Sequence, residues 1–163
     1  MIQLTTKNPR ETQKLAALLS SHLQNIALGN ICIALNGTLG VGKTCFSQGF
    51  ADGLQVLDEV LSPTFAIVHE YSGAVDLLHM DFYRLEKEDL PNLALDEVIQ
   101  DHQGIVLIEW AHKHPELIES GFLRVDMDFD RDDNRLVSLQ VEGENPLLEQ
   151  ALREFSQQWE REK

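Results

Sequence analysis

The sequence is poor in basic residues, in cysteine and in long apolar runs. Its 13 Lys and Arg face 27 Asp and Glu, a net charge of −14 with neutral histidines, which opposes binding of a nucleic-acid backbone by this chain alone. Two cysteines, Cys32 and Cys45, lack metal-ligand spacing and are too few for a disulfide framework, so we expect buried thiols. No segment is apolar over the length that a bilayer span needs.

The N-terminal residues lack the charged start, apolar block and small-residue cleavage site of an export signal, which leads us to expect a cytoplasmic protein. There is no internal repeat, low-complexity tract or linker. With 163 residues, of which 43% are hydrophobic, the chain is long enough to bury a core of its own. We therefore expect one domain over residues 1–163.

The most informative segment runs from Gly37 to Thr44 and fits the phosphate-loop pattern G-x-x-x-x-G-K-S/T without a mismatch. Glycines let the backbone N–H groups wrap a phosphate, Lys43 supplies a charge for the β and γ phosphates, and Thr44 supplies a hydroxyl for Mg²⁺. An apolar run at 31–35 precedes the loop, and 44–50 can continue as a helix whose N-terminus attracts anions. The predicted nucleotide-binding residues here are Gly37, Thr38, Leu39, Gly40, Val41, Gly42, Lys43, Thr44 and Cys45.

The remaining pattern predicts an α/β fold. A first helix begins near Asn8-Pro9. A helical stretch at 86–99 is interrupted at Pro91, so we expect two short helices or one kinked helix there. Further expected elements are strands at 31–35, 65–71, 75–80 and 104–109, a hairpin of 122–130 with 136–141, a short helix at 115–120 and a closing helix at 146–160. We predict a three-layer P-loop NTPase domain, with a mostly parallel sheet and an antiparallel hairpin near the C-terminus.

Two acidic residues stand where predicted strands end, the position at which open α/β sheets carry their chemistry. Glu109 follows four aliphatic residues, and we predict that it binds Mg²⁺ together with Thr44, directly or through water. Asp81 ends another strand and is expected nearby, either supporting a group that binds the metal or acting as the base that orients the attacking water. The alternative for each is an ordinary solvated carboxylate at a strand end.

Two further features near these acids allow two interpretations each. A hydroxyl of Ser62-Pro63-Thr64 is placed to sense the γ phosphate, which makes Thr64 a catalytic candidate beside Asp81 and Lys43; the alternative is a plain turn that enters a strand. Trp110 covers either the nucleotide or a partner surface, or it belongs to the core.

The histidines are not expected to bind a metal. His79 should pack at a strand end, and His112 and His114, which flank Lys113, are predicted to lie at the surface.

Four segments, in this order and at this spacing, resemble the bacterial tRNA threonylcarbamoyladenosine biosynthesis ATPase family, TsaE. They are Leu35–Thr44, Ser62–Phe65, His79–Arg84 and Ile108–Trp110. The resemblance implies a small P-loop ATPase that works with two partner proteins on the threonylcarbamoyl modification of the adenosine next to the tRNA anticodon, with tRNA held by those partners. It also implies that Lys43 and Thr44 serve ATP and Mg²⁺, that Glu109 belongs to the metal site, and that Asp81 matters for turnover.

The chain departs from that family at two positions. Thr38 replaces a common Asp in the loop, which bears on hydrolysis more than on binding, and Ala94 replaces a common Gly. Arg135 matches a basic position of the family and is a candidate nucleotide contact, or else a surface arginine of the hairpin.

Two other functions use the same loop. A small-molecule kinase usually adds an arginine-rich lid, yet only one arginine, Arg84, lies between Asp81 and Glu109. A nucleotide-dependent binding switch without useful catalysis would instead use residues 62–65 to open or close a partner surface. The absence of the N-K-x-D pattern of GTPases favours ATP as the nucleotide.

Overall fold

The computed structural model describes residues 1–162 and contains one seven-stranded sheet with helices on both faces. The strands are β1 (Ile2–Thr6), β2 (Asn30–Gly37), β3 (Val68–Tyr71), β4 (Leu77–Asp81), β5 (Gly104–Glu109), β6 (Phe122–Phe129) and β7 (Arg135–Glu142). The helices are α1 (Pro9–Gln24), α2 (Lys43–Gly53), α3 (Leu90–Leu93), α4 (Leu95–Asp101) and α5 (Pro146–Arg161), with single 3₁₀ turns at Ala111–Lys113 and Pro115–Leu117.

The strand order is β1-β7-β6-β2-β5-β4-β3, and its four central strands, β6, β2, β5 and β4, are parallel to one another. The β6–β7 hairpin and the pairs β1–β7 and β3–β4 are antiparallel. The predicted three-layer α/β fold with a C-terminal antiparallel hairpin is thus confirmed. Strand β1 was not predicted, because five residues of mixed polarity become a strand only through their pairing with β7.

Two hydrophobic clusters make up the core, one on each face of the sheet. Helices α1, α2 and α5 cover the first face with Leu15, Phe46 and Phe155, all fully buried. Helix α4 covers the second face, where Ile99 packs with Val106 of β5. Strands buried on both faces read as continuous apolar runs, which is why β2 and β5 were visible in the sequence.

The start of α1 and the two short helices within 86–99 agree with their predictions, whereas the start of β3 and the position of the break between α3 and α4 do not. Asn8 caps α1 by accepting the Glu11 N–H. The strand expected from residue 65 begins only at Val68, because Ile67 has a left-handed backbone (φ 68°) that breaks the extended run. The break between α3 and α4 falls at Ala94 (φ 46°), and Pro91 lies in the first turn of α3, where its missing N–H costs no helical bond.

The helix expected at 115–120 was overestimated, since it is only the 3₁₀ turn Pro115–Leu117. Among residues 1–162, no helix combines the length and the apolarity that crossing a membrane requires.

Candidate functional site

The predicted phosphate loop connects the end of β2 to the start of α2, at the carboxyl edge of the parallel strands. A Cβ atom at Gly37 would lie 2.7 Å from the Met127 carbonyl oxygen of β6, a distance that backbone atoms cannot accommodate. Gly42 precedes the helix with φ 112°, a conformation that side chains disfavour. Glycine is therefore required at both ends of the loop by the backbone itself.

Lys43 is the first residue of α2 and is only 6% exposed. Its Nζ donates hydrogen bonds to the carbonyl oxygens of Gly37 (2.7 Å) and Thr38 (3.0 Å) and lies 4.3 Å from the centre of the Trp110 ring. Burial holds the pKa of Lys43 below its ordinary value, an effect that the negative charges of Glu109 and Asp81 oppose. The lysine charge thus lies against the loop, within the field of two carboxylates.

Asp81 and Glu109 end β4 and β5 as register partners, and each is 2% exposed. Asp81 accepts hydrogen bonds from the Thr64 hydroxyl (2.9 Å) and from the backbone N–H of Tyr83 (2.8 Å). Ser62 Oγ lies 2.7 Å from Thr64 Oγ1, so both hydroxyls of this turn lie beside the Asp81 carboxylate. The segment 62–64 is therefore more than a turn that enters a strand, because its hydroxyls contact the Asp81 carboxylate.

The Glu109 carboxylate has two hydrogen-bonding neighbours, His79 and Ser47. Its Oε1 accepts a hydrogen bond from His79 Nε2 (2.9 Å) and lies 3.2 Å from Ser47 Oγ, whose hydroxyl also donates to the Lys43 carbonyl (2.9 Å). Within residues 1–162, both of these neighbours contact Oε1 of the carboxylate. Oε2 accepts no hydrogen bond within residues 1–162, and Glu109 lines the pocket.

A pocket of about 380 Å³ unites most of the predicted site residues. It is lined by Leu39, Gly40, Gly42, Lys43, Thr44, Cys45, Ser62, Thr64, Asp81, Tyr83, Glu109 and Trp110. Gly37 and Thr38 line a second pocket of about 320 Å³, which shares Trp110 with the first. Val41, also predicted to contact the nucleotide, is instead fully buried in the core and lines neither pocket, because its side chain packs against the hydrophobic cluster of the first sheet face.

Trp110 and Arg135 both lie at the loop. The Trp110 ring is partly buried and packs 4.9 Å from the Tyr83 ring, with Lys43 on its face. Arg135 Nε would lie 4.0 Å from a Cβ atom on Gly42. Burial raises the pKa of the Cys45 thiol and the Arg135 charge lowers it, a second sign that this arginine is close to the loop.

The side chains present suit Mg²⁺ held jointly with a phosphate. Within residues 1–162, no group of three or more His, Cys, Asp or Glu side chains is placed to enclose a metal. Thr44 is exposed in the first turn of α2, and the buried Glu109 and Asp81 carboxylates line the same pocket. Mg²⁺ commonly takes one or two carboxylate or hydroxyl ligands and completes its shell with phosphate and water.

The histidines differ from their predictions in two ways. His114 is buried rather than at the surface, with Nε2 2.8 Å from the Leu85 carbonyl. His79 does pack within its strand, but the contact of its ring with Glu109 was missed. The spacing of His79 from Asp81 was the available signal. Residues two apart in a strand face the same side of the sheet, so His79 lies on the side of the sheet where the strand-end acids were expected.

A buried parallel strand, a glycine loop and a helix that begins with lysine, beside two acids at the ends of neighbouring strands, define the P-loop NTPase-like class of α/β proteins.

Comparison with known proteins specifies the family. The family model described as "Threonylcarbamoyl adenosine biosynthesis protein TsaE" matches residues 6–137. The tRNA threonylcarbamoyladenosine biosynthesis protein TsaE of Bacillus subtilis (strain 168) is 40% identical over 139 residues, 85% of this chain and 84% of that protein. Its counterpart in Nostoc sp. (strain PCC 7120) is 36% identical over 119 residues, 71% of each chain.

The crystal structure of Bacillus subtilis YdiB aligns with a TM-score of 0.79 and 33% identity, covering 96% of this chain and 95% of that one. The chain belongs to the TsaE family of tRNA threonylcarbamoyladenosine biosynthesis proteins. The resemblance read from its four sequence segments is confirmed.

Proposed function

We propose that this protein is a Mg²⁺-dependent P-loop ATPase that hydrolyses ATP to ADP and phosphate within the machinery that makes tRNA N6-threonylcarbamoyladenosine. The observation that carries the proposal is the meeting of Lys43, Asp81 and Glu109 with the glycine loop in one pocket of about 380 Å³. An ammonium, two carboxylates and a loop of backbone N–H groups are what binding and cleavage of a triphosphate require.

In this proposal the loop binds the phosphates. Backbone N–H groups of residues 37–45 surround them, and Lys43 exchanges its contacts with the Gly37 and Thr38 carbonyls for phosphate oxygens. Thr44 and Glu109 would hold Mg²⁺, which would supply positive charge next to the phosphates. Trp110 and Arg135 flank the loop and contact the nucleotide from either side.

Asp81 is the residue proposed to orient or activate the attacking water. Its carboxylate is fixed by the Thr64 hydroxyl and the Tyr83 N–H, so its position is set by the turn at 62–64. A group held in this way reduces the reorganisation needed when water attacks the γ phosphate. Thr38 lacks the carboxylate common at its position in the family, which fits slow turnover by the protein alone.

The tRNA is expected to reach this ATPase only through two partner proteins. A net charge of −14 repels a polyphosphate backbone, so a subunit of this kind is suited to a supporting role while its partners hold the RNA. The cytoplasmic location stays a prediction from the sequence.

A binding switch is the second candidate, and the Thr64–Asp81 hydrogen bond favours it. That bond joins a turn to the catalytic pocket, and a γ phosphate beside it would alter the order of the turn. The kinase alternative has less support, because the Arg84 guanidinium lies 4.3 Å from the Phe65 ring instead of lining the pocket.

Phosphate release from ATP, measured for the protein alone and with its two partner proteins and tRNA, separates these functions. We expect slow release alone and faster release in the complex. A phosphorylated small molecule among the products, or release that partners never change, would contradict the proposal. If ATP binds but no phosphate is released under any of these conditions, the nucleotide-dependent binding switch is the function that remains.

The metal assignment is tested by Glu109→Ala, with the exposed Glu160→Ala on α5 as control. We expect Glu109→Ala to lose Mg²⁺-dependent binding or turnover and Glu160→Ala to retain both. Full activity of a folded Glu109→Ala variant would remove this residue from the site.

A further inference from the structure

His79 lies in β4 beneath α2 and is completely buried. Its Nε2 is 2.9 Å from Glu109 Oε1, whereas Nδ1 is buried without a hydrogen-bond partner within residues 1–162. A buried ring nitrogen without a partner costs free energy, and an aliphatic side chain at this position would avoid that cost. Within residues 1–162, Nε2 is therefore the only ring atom of His79 that makes a hydrogen bond, and its partner is Glu109.

That contact is the principal support of the Glu109 carboxylate. The other neighbour of Oε1, Ser47 Oγ, is closer to the Lys43 carbonyl (2.9 Å) than to Glu109 (3.2 Å), and a hydroxyl has only one proton to donate. His79 Nε2 is thus the donor that Oε1 depends on. Because Oε1 accepts the hydrogen bond from His79, the carboxylate group can rotate only if this buried hydrogen bond breaks.

The same contacts connect two elements that carry proposed metal ligands. Glu109 ends β5, and Thr44 lies in the first turn of α2, three residues before Ser47. The hydrogen bond from His79 to Glu109 joins β4 to β5, and Ser47 Oγ of α2 lies 3.2 Å from the same carboxylate oxygen. His79 thus holds the Glu109 carboxylate next to the helix that carries Thr44.

We propose that His79 is a positioning residue, which donates Nε2–H to Glu109 Oε1 and so keeps Oε2 turned toward Mg²⁺ and the nucleotide. This inference rests on the proposed nucleotide and metal site. Groups that hold a metal ligand in place commonly change metal affinity about 10- to 100-fold when they are removed.

Two amide variants test the proposal, because they differ in reach but not in polarity. The amide of His79→Gln extends to about the position of Nε2 and can still donate to Glu109. The amide of His79→Asn is one methylene shorter and cannot reach it. His22→Asn is the matched control, since His22 is a partly buried histidine on α1 that bonds Gln158.

Binding of a fluorescent N-methylanthraniloyl ATP is measured first in EDTA and then during titration with Mg²⁺. For His79→Asn we expect a midpoint in Mg²⁺ about ten-fold higher than for the wild type, with metal-free affinity within about two-fold. His79→Gln should stay within about three-fold of the wild-type midpoint, and His22→Asn should match the wild type.

The outcomes distinguish this inference from the function it rests on. If wild-type protein binds no nucleotide, the proposed function itself fails. If wild type binds with a clear Mg²⁺ midpoint but Asn and Gln variants share that midpoint, His79 does not position Glu109. Equal loss of metal-free binding in both variants, or failure of both to fold, would show a packing role and also overturn the proposal.

Discussion

Asp81 and Glu109 are paired in register at the ends of adjacent parallel strands, yet separate groups hold the two carboxylates. Asp81 accepts a hydrogen bond from Thr64 in the turn at 62–64, whereas Glu109 accepts one from His79, which lies two residues before Asp81 on β4. Two carboxylates in one pocket can take distinct roles when their surroundings differ. This difference underlies the assignment of Asp81 to the attacking water and of Glu109 to the metal.

Asp81→Asn should slow hydrolysis while ATP still binds. The amide retains an oxygen that can accept the Tyr83 N–H, so the local fold survives, but it can no longer take a proton or attract a water proton. General bases contribute about 10²–10⁴-fold, and we expect a fall in kcat of at least about ten-fold. Steady-state phosphate release and nucleotide affinity are compared with those of the exposed Asp76→Asn control. Unchanged kcat would contradict the role of Asp81.

Thr64→Val should reduce kcat with little effect on KM. The substitution keeps the side-chain shape and removes the hydroxyl that donates to Asp81 at 2.9 Å. A hydrogen bond of this kind contributes about 1 kcal/mol, roughly five-fold in rate if all of it is expressed in the transition state. Thr64→Ser is the matched control, because it restores the hydroxyl. Equal rates for the Val and Ser variants would rule out the contact as a determinant of turnover.

The phosphate loop could be predicted from the sequence because its requirements are local. Gly37, Lys43 and Thr44 follow one another within a strand, a turn and a helix, so the pattern already contains the geometry. The acids at 81 and 109 were also visible, since buried parallel strands have a recognisable composition and their carboxyl ends share one edge of the sheet.

Other features depend on pairings between distant segments. Arg135 reaches the loop because β7 pairs with β6, and β6 lies beside β2, an arrangement that no local pattern encodes. The bond from His79 to Glu109 depends on which side of β4 faces α2. The left-handed backbone of Ile67 likewise reflects tertiary contacts, because its carbonyl accepts the Asp81 N–H and its N–H donates to Pro63.

Arg135→Ala should weaken ATP binding modestly. Arg135 is partly buried and lies close to Gly42 and Cys45. Its positive charge is therefore next to the loop, unlike that of a solvent-exposed arginine elsewhere on the hairpin. Loss of one contact to a nucleotide at a partly exposed position costs about 0.5–1.5 kcal/mol, roughly two- to ten-fold in Kd. Calorimetric titration with Mg-ATP compares this variant with Arg131→Ala, an exposed arginine of the same hairpin. Identical affinities would place Arg135 outside the nucleotide site.

Cys32 should make the fold less stable at alkaline pH. Cys32 and Cys45 are only partly buried by exposed area, not fully buried as expected. Desolvation nevertheless raises the pKa of the Cys32 thiol from 9.0 to about 12, so above pH 9 the unfolded chain loses a proton that the folded chain keeps. Stability from this group is complete below pH 9 and declines as the pH rises toward 12. Between pH 8 and pH 10, wild type should lose about 1.4 kcal/mol more than Cys32→Ala. Urea unfolding of both proteins at the two pH values tests this, and equal losses would contradict it.

Lys43→Ala should strongly reduce ATP affinity. Its Nζ lies against the Gly37 and Thr38 carbonyls at the point where phosphates would bind. Removal of a charged hydrogen-bond donor costs about 1.5–3 kcal/mol, roughly 10- to 100-fold in Kd. Lys14→Ala is the control, because Lys14 pairs with Glu162 at the exposed junction of α1 and α5. Thermal unfolding of each variant shows whether the fold is intact. If folded Lys43→Ala bound Mg-ATP as tightly as Lys14→Ala, the loop would not be the phosphate site, and the roles of Asp81 and Glu109 would lose their basis.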